Sequence, residues 1–155
     1  MEILLTLPYP ISANRYWRTR VIVPRNRKLA PFVSTYLSDE AKQYKIMVGT
    51  LFLAKRLPKI KGKVDMEWWL YPHRPLDWKK RQERDYQNWD LTVQRLDRDN
   101  VNKVLSDALK NIAFEDDKMV MNGFDHIMEP DGKGARIVVS IQPTEAKPPQ
   151  EGLFA

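Results

Sequence analysis

Asp97-Arg98-Asp99-Asn100-Val101-Asn102-Lys103-Val104-Leu105-Ser106-Asp107-Ala108-Leu109-Lys110-Asn111-Ile112 reads as an amphipathic helix entered through two carboxylates. Val101, Val104, Leu105, Ala108, Leu109 and Ile112 recur at three- and four-residue steps, the rhythm of one buried face. Asp99 stands where a helix cap is expected, so the helix is predicted to run from Asn100 to about Ile112. In extended backbone residues i and i+2 point the same way, so Asp97 and Asp99 can reach one cation. Lys103 follows one turn later on a neighbouring face. Asp116 and Asp117 come after the helix. A helix of about a dozen residues is roughly 18 Å long, so the chain must fold back to bring either of them to the pair.

Working outward, Ile3–Leu7 reads as a first strand stopped by Pro8 and Pro10. Asn14–Lys28 sets Arg15, Arg18, Arg20, Arg25, Arg27 and Lys28 around Tyr16 and Trp17, as a loop or a pair of short strands. Ser38 caps a helix reaching about Lys55, with Asp39 and Glu40 favourable in its first turn. Tyr44, Met47, Val48, Leu51 and Ala54 are its expected buried stripe. Val64, Met66, Trp68 and Leu70 alternate as a strand with one apolar face, which puts Trp69 on the other.

His73–Gln94 is too long for an ordinary connection, and Arg74, Lys79, Lys80, Arg81 and Arg84 alternate there with Trp78, Tyr86 and Trp89. A short helix fits within it. Met119–Met128 and Arg136–Gln142 read as strands joined through the turn at Pro130-Asp131-Gly132-Lys133-Gly134, and are expected to pair as a hairpin. The expected architecture is one α+β domain over 1–142, a mixed sheet packed by two main helices. A flexible proline-rich tail is expected over 143–155.

The bulk numbers narrow the class. At 155 residues the chain is one domain, and 43% hydrophobic content is enough for a core. The longest apolar run, Ile46–Ala54, is too short for a membrane span, and the start of the chain has no basic leader. A soluble, cytoplasmic protein is expected. The absence of cysteine excludes thiolate metal sites and cysteine nucleophiles. Formal net charge of +6 suits a polyanionic partner.

A tight acidic cluster in a basic chain is useful beside DNA or RNA when a divalent metal sits between. Oxygen donors without cysteine favour Mg2+ or Mn2+ over zinc. Such a metal polarises a phosphate and acidifies a water, Lys103 offsets charge gathering on the phosphate, and Asn100 orients a carboxylate. An EF-hand is excluded, since a loop starting at Asp97 has Asn102 where glycine is needed and Ala108 where the bidentate glutamate belongs. The residues alone leave other readings open: an Asp-x-Asp is most often a solvated turn, and Asp116-Asp117 a second one. A nucleotidyl or glycosyl transferase is disfavoured by the lack of a glycine-rich phosphate loop.

Read together, Leu96-Asp97-Arg98-Asp99-Asn100-Val101-Asn102-Lys103, Asp107-Ala108-Leu109 and Asp116-Asp117-Lys118-Met119-Val120 resemble the RusA family of Holliday junction resolvases. Leu7-Pro8-Tyr9-Pro10, Asn14-Arg15-Tyr16-Trp17 and the Ser38–Tyr44 helix start resemble that family too, in the same order. The resemblance implies a Mg2+-dependent endonuclease, with Mn2+ as a substitute, that works as a homodimer. Its substrate would be branched DNA, a four-way junction resolved by paired symmetrical nicks, in a bacterial or phage-encoded setting. Carried over by position, Asp97, Asp99 and Asp117 are the metal-binding carboxylates and Lys103 the catalytic lysine. Asn100 and Asp116 are supporting residues, and Asp107 is a helix position. His73–Gln94 is longer than the family's short basic connection, so cut-site preference does not carry over. A junction-binding protein with a degenerate site and a less specific nuclease are the competing readings.

A junction presents phosphates on several arms, which calls for a broad basic surface. Arg15, Arg18 and Arg20 beside Tyr16 and Trp17 form one candidate, and Lys79, Lys80 and Arg81 beside Trp78 another. Aromatics in such loops can stack on unpaired bases. His73 and His126 are expected at the surface or in satisfied structural roles.

Overall fold

The buried alternation of Val64, Met66, Trp68 and Leu70 makes β4 (Val64–Tyr71) the spine of a four-stranded mixed sheet. The computed structural model describes residues 1–146. β1 (Ile3–Pro8), β6 (Arg136–Pro143), β4 and β5 (Val120–Ile127) lie in the order β1-β6-β4-β5. β6 runs antiparallel to both neighbours, and β5 is parallel to β4. The fold is α+β, as expected.

The last two strands do not form the expected hairpin. β6 enters between β1 and β4, and β5 takes the edge. Burial explains the exchange. Ile137, Val139, Ser140 and Ile141 are all buried, which suits a strand with neighbours on both sides. β5 carries Asn122, Gly123, Asp125 and His126 and is largely exposed, which an edge tolerates. A parallel β4–β5 pair needs a long crossover, and residues 72–119 supply it.

Two helices cover one sheet face. α2 (Asp39–Ala54) is capped by Ser38, whose hydroxyl accepts from the Ala41 N–H. Its buried stripe is Ala41, Tyr44, Val48 and Phe52, whereas Met47 is exposed. The stripe is therefore rotated from the expected one: Phe52 turns fully inward, Leu51 packs at its margin, and Ala54 is exposed. α4 (Arg98–Leu109) buries Val101, Val104, Leu105, Ala108 and Leu109. Its cap is Asp97, not Asp99, so Asp99 lies inside the first turn. Tyr16, Trp68, Phe114 and the inward residues of β1 and β6 complete the core.

Two segments stand apart. After α1 (Ala13–Tyr16), β2 (Trp17–Ile22) and β3 (Phe32–Leu37) pair with each other alone. The basic stretch read as a loop or short strands is thus half of a hairpin. The long segment before α4 holds α3 (Trp78–Arg84) and a 3-10 turn, Trp89–Thr92. It folds back around Trp89, which is 2% exposed. Arg74 stacks over Trp78 at 4.4 Å and passes so close to Gly132 that a Cβ there would meet its guanidinium at 2.4 Å. Gly132 also has φ +75°, and that backbone conformation is what calls for glycine, since the Arg74 guanidinium is the far end of a flexible side chain and can shift. Pro143 completes β6, and Thr144 is tied to Asp65 at 2.7 Å. The rest of the expected tail, 147–155, lies outside the described residues.

Candidate active site

Asp97 sits at the end of extended chain and spends its carboxylate on the helix it starts. Its Oδ1 accepts from the Asn100 N–H at 2.7 Å, and its Oδ2 from the Asn100 side-chain amide at 2.9 Å. The Asn100 Oδ1 accepts from the Ala13 N–H at 2.8 Å, so one asparagine fixes Asp97 and ties α1 to α4. These two bonds to Asn100, followed by the Lys103 charge, hold the Asp97 carboxyl below the usual carboxylate range. It is an exposed anion.

Asp97 and Asp99 line one cavity of about 620 Å3, with Arg95, Leu96, Arg98, Asp125 and Ile127. Lys103 and Asp117 line a second cavity of about 540 Å3, with Trp17, Asn102, Ser106, Asp107 and Lys118. The four residues assigned to catalysis thus fall into two pairs. The chain does fold back after α4: Asn111 takes φ +64°, its N–H reaches the Phe114 carbonyl at 2.7 Å, and Ala113 and Phe114 are buried. That return sets Asp117 in the same cavity as Lys103, which lies six residues on from the cap at Asp97. Asp116 caps the 3-10 turn Asp117–Met119 through the Lys118 N–H and lies 3.4 Å from Lys110. Hydrogen bonding shared with the adjacent Asp117 carboxyl, with that backbone bond and Lys110, holds Asp116 below the usual carboxylate range.

The donor set is all carboxylate oxygen, which fits a hard divalent cation in chemistry. Among the described residues no three His, Asp or Glu side chains stand close enough to share one ion. Asp97 and Asp99 form a two-pronged edge, and the third expected ligand faces the neighbouring cavity.

The remaining sequence candidates divide as well. Arg15 is paired with Glu40 at 2.6 Å. Arg18 and Arg20 project from the hairpin on the same face as Tyr36, and Arg20 lies 5.1 Å from that ring. The hairpin is rooted at the site, because the Tyr16 hydroxyl donates to Asp107 and Trp17 lines the cavity of Lys103 and Asp117. Lys79 stands 5.6 Å from the Trp78 ring. Arg81 is engaged internally, with Asp77 at 2.8 Å and the Thr92 carbonyl at 2.9 Å. His126 pairs with Glu67 at 2.7 Å and stacks on Trp69 across the outer sheet face.

Sequence reasoning missed Asp125. Its side chain is 10% exposed and lines the cavity of Asp97 and Asp99. Only the parallel register of β5 on β4, which sets it opposite Trp68, brings it there. No local pattern signals that register.

The family model described as Endodeoxyribonuclease RusA matches residues 8–142, most of the chain and all of the site. The chain belongs to the RusA family. It is therefore an endodeoxyribonuclease of the crossover-junction class, with Holliday junctions as the family substrate. Comparison with curated proteins finds no match. The RusA match begins at Pro8 and ends at Gln142, so it takes in the hairpin, the 73–94 segment and both cavities. Among the described residues no helix is long and apolar enough to cross a membrane.

Proposed function

We propose that this RusA protein is a Mg2+-dependent resolvase that cuts four-way junctions by paired symmetrical nicks in DNA recombination and repair. Mn2+ would substitute for Mg2+, and the protein would act in the cytoplasm of a bacterial or phage-encoded setting. The observation that carries the reading is the shared cavity of Asp97 and Asp99 at the α4 cap, with Lys103 close enough to bias Asp97. Asp97 and Asp99 would hold the cation, with Asp117 as the third ligand once it is brought over from the neighbouring cavity; when bound, the cation supplies an electrophile for the phosphate and a more acidic water. Asn100 holds the Asp97 carboxylate in place and keeps it ionised. Lys103 offsets charge developing on the phosphate. Asp116 fixes the turn that presents Asp117.

Paired symmetrical nicks in two opposing strands need two sites and this chain carries one, so we propose a homodimer as the working unit. Arg18 and Arg20 on the hairpin, flanked by Arg15, would track one arm. Lys79 and Lys80 would meet another, on a platform braced by Arg81. The residues 1–142 would form the nuclease domain and 143–155 its tail.

A labelled four-way junction with Mg2+ tests this. Wild type should nick opposing strands, and Asp99→Asn or Lys103→Ala should slow cleavage by about 10²-fold or more while leaving junction binding in place. Tight binding with no cleavage by wild type would sink the mechanism and favour a junction-binding protein with a degenerate site. Equal cleavage of linear duplex would favour a general nuclease.

A further inference from the structure

Arg98 stands between Asp97 and Asp99 in the first turn of α4, where the helix dipole disfavours a cation. The fold nonetheless fixes it there. Its Nη2 and Nε donate to the Asp125 Oδ2 at 3.0 and 3.3 Å. The same oxygen accepts from the Asn102 side-chain amide at 3.0 Å, and the Asn102 Oδ1 accepts from the Trp68 indole N–H at 2.8 Å. Trp68 is fully buried. A continuous chain therefore runs from the core through Asn102 and Asp125 to a guanidinium at the cavity.

The two ends of this pair differ sharply in exposure. Asp125 is 10% exposed, whereas Arg98 is 64% exposed. Asp125 takes the Nε and Nη2 edge of a rigid five-donor fork on a side chain that lines the cavity, and the other edge keeps donors to spare. A fork held this way suits a phosphate oxygen, and planar guanidinium recognises phosphate better than a mobile ammonium. It also answers an electrostatic problem, because Asp97 and Asp99 alone repel a DNA backbone.

We propose that Arg98 binds a phosphate of the DNA strand at the Asp97–Asp99 edge, and that Asp125 is its positioning residue. The inference rests on the nuclease reading of that edge and adds two residues to it. The plain alternative is that the pair only staples β5 to α4.

The test uses the full chain, a four-way junction and variants Arg98→Ala, Arg98→Lys, Asp125→Asn and the Arg98→Ala/Asp125→Asn double. Binding is measured against NaCl without divalent metal, cleavage in single turnover with Mg2+, and folding by melting temperature. Arg98→Ala should flatten the slope of log K on log salt by about one unit and slow cleavage roughly tenfold, beyond any fall in melting from leaving Asp125 without its cation. Arg98→Lys should restore the slope but little of the rate, since an ammonium keeps charge without the fork. Asp125→Asn should slow cleavage several-fold with the slope retained, and add nothing on the Arg98→Ala background.

A lowered melting temperature with slope and rate unchanged in Arg98→Ala would overturn the proposal in favour of a staple. An undiminished Asp125→Asn effect on the Arg98→Ala background would show Asp125 acting through Asn102 alone. If wild type fails to cut junctions the nuclease reading fails, yet the metal-free salt slope still decides whether Arg98 meets phosphate.

Discussion

Between Trp17 and Leu37 the chain spreads into a two-stranded arm. Between His73 and Gln94 it winds back around Trp89. The two segments are alike in composition, arginine and lysine set among aromatics. In the arm, Val21, Val23, Phe32 and Val33 are more than half exposed, and Arg18 and Arg20 are exposed on one face, Arg20 over the Tyr36 ring. In the second segment Trp89 is buried against Trp78, and Arg81 is used to close the loop. Like composition thus serves two ends: the arm offers its side chains outward, and the second segment uses part of its own to become rigid. The difference lies in whether an aromatic residue finds a neighbour to bury it.

The largest effect should come from removing that buried aromatic. Trp89→Ala should cost about 3–5 kcal/mol within its own segment. Because Trp89 lies outside the main core cluster, the loss should be local: faster amide exchange and new protease cuts over 73–94, with the sheet still protected. Trp89→Phe should cost clearly less, since the Trp89 Nε1 has no hydrogen-bond partner among the described residues and nothing polar is lost. Cooperative loss of the whole domain would mean that the segment is no separate unit.

The arm should respond in the opposite sense. Arg18→Ala combined with Arg20→Ala should leave melting unchanged, because neither guanidinium holds a buried contact. Junction affinity should fall about tenfold, and the salt slope should drop by about two units if both meet phosphate. An unchanged slope would show that the arm does not track DNA and would remove half of the contrast.

How much of this was legible follows from the range of each interaction. Both helices, β1 and β4 are visible in the sequence because their signals are local: the cap at Ser38, the stripe on α4, the alternation from Val64 to Leu70. The identity of the α4 cap was misplaced by two residues, since Asp97 and Asp99 are equally good capping groups and only the bonds to Asn100 choose between them. The β5–β6 pairing was misread because strand order depends on total burial, and β6 is needed in the middle. The site was legible as residue types and spacing. Its division into two cavities was not, because that depends on where the left-handed turn at Asn111 returns the chain. Asp125 was invisible for the same reason, being placed by register alone.

Arg81→Ala gives the smallest effect and the finest test of the contrast. The Arg81 side chain is 29% exposed, and its partner Asp77 is 54% exposed. An i,i+4 ion pair that open to water contributes about 0.3–0.5 kcal/mol, and the bond to the Thr92 carbonyl about as much again. Loss of about 1 kcal/mol is therefore expected, read as a modest rise in amide exchange near Thr92. Junction affinity and salt slope should stay at wild-type values, because Asp77 neutralises the guanidinium and its Nε and Nη1 are engaged by Asp77 and Thr92. Lys79→Ala and Lys80→Ala should do the reverse, lowering the slope by about one unit each without touching exchange. Should Arg81→Ala flatten the slope instead, the guanidinium must leave Asp77 and Thr92 when DNA arrives. The second segment would then be another arm that folds onto itself only in the absence of its ligand.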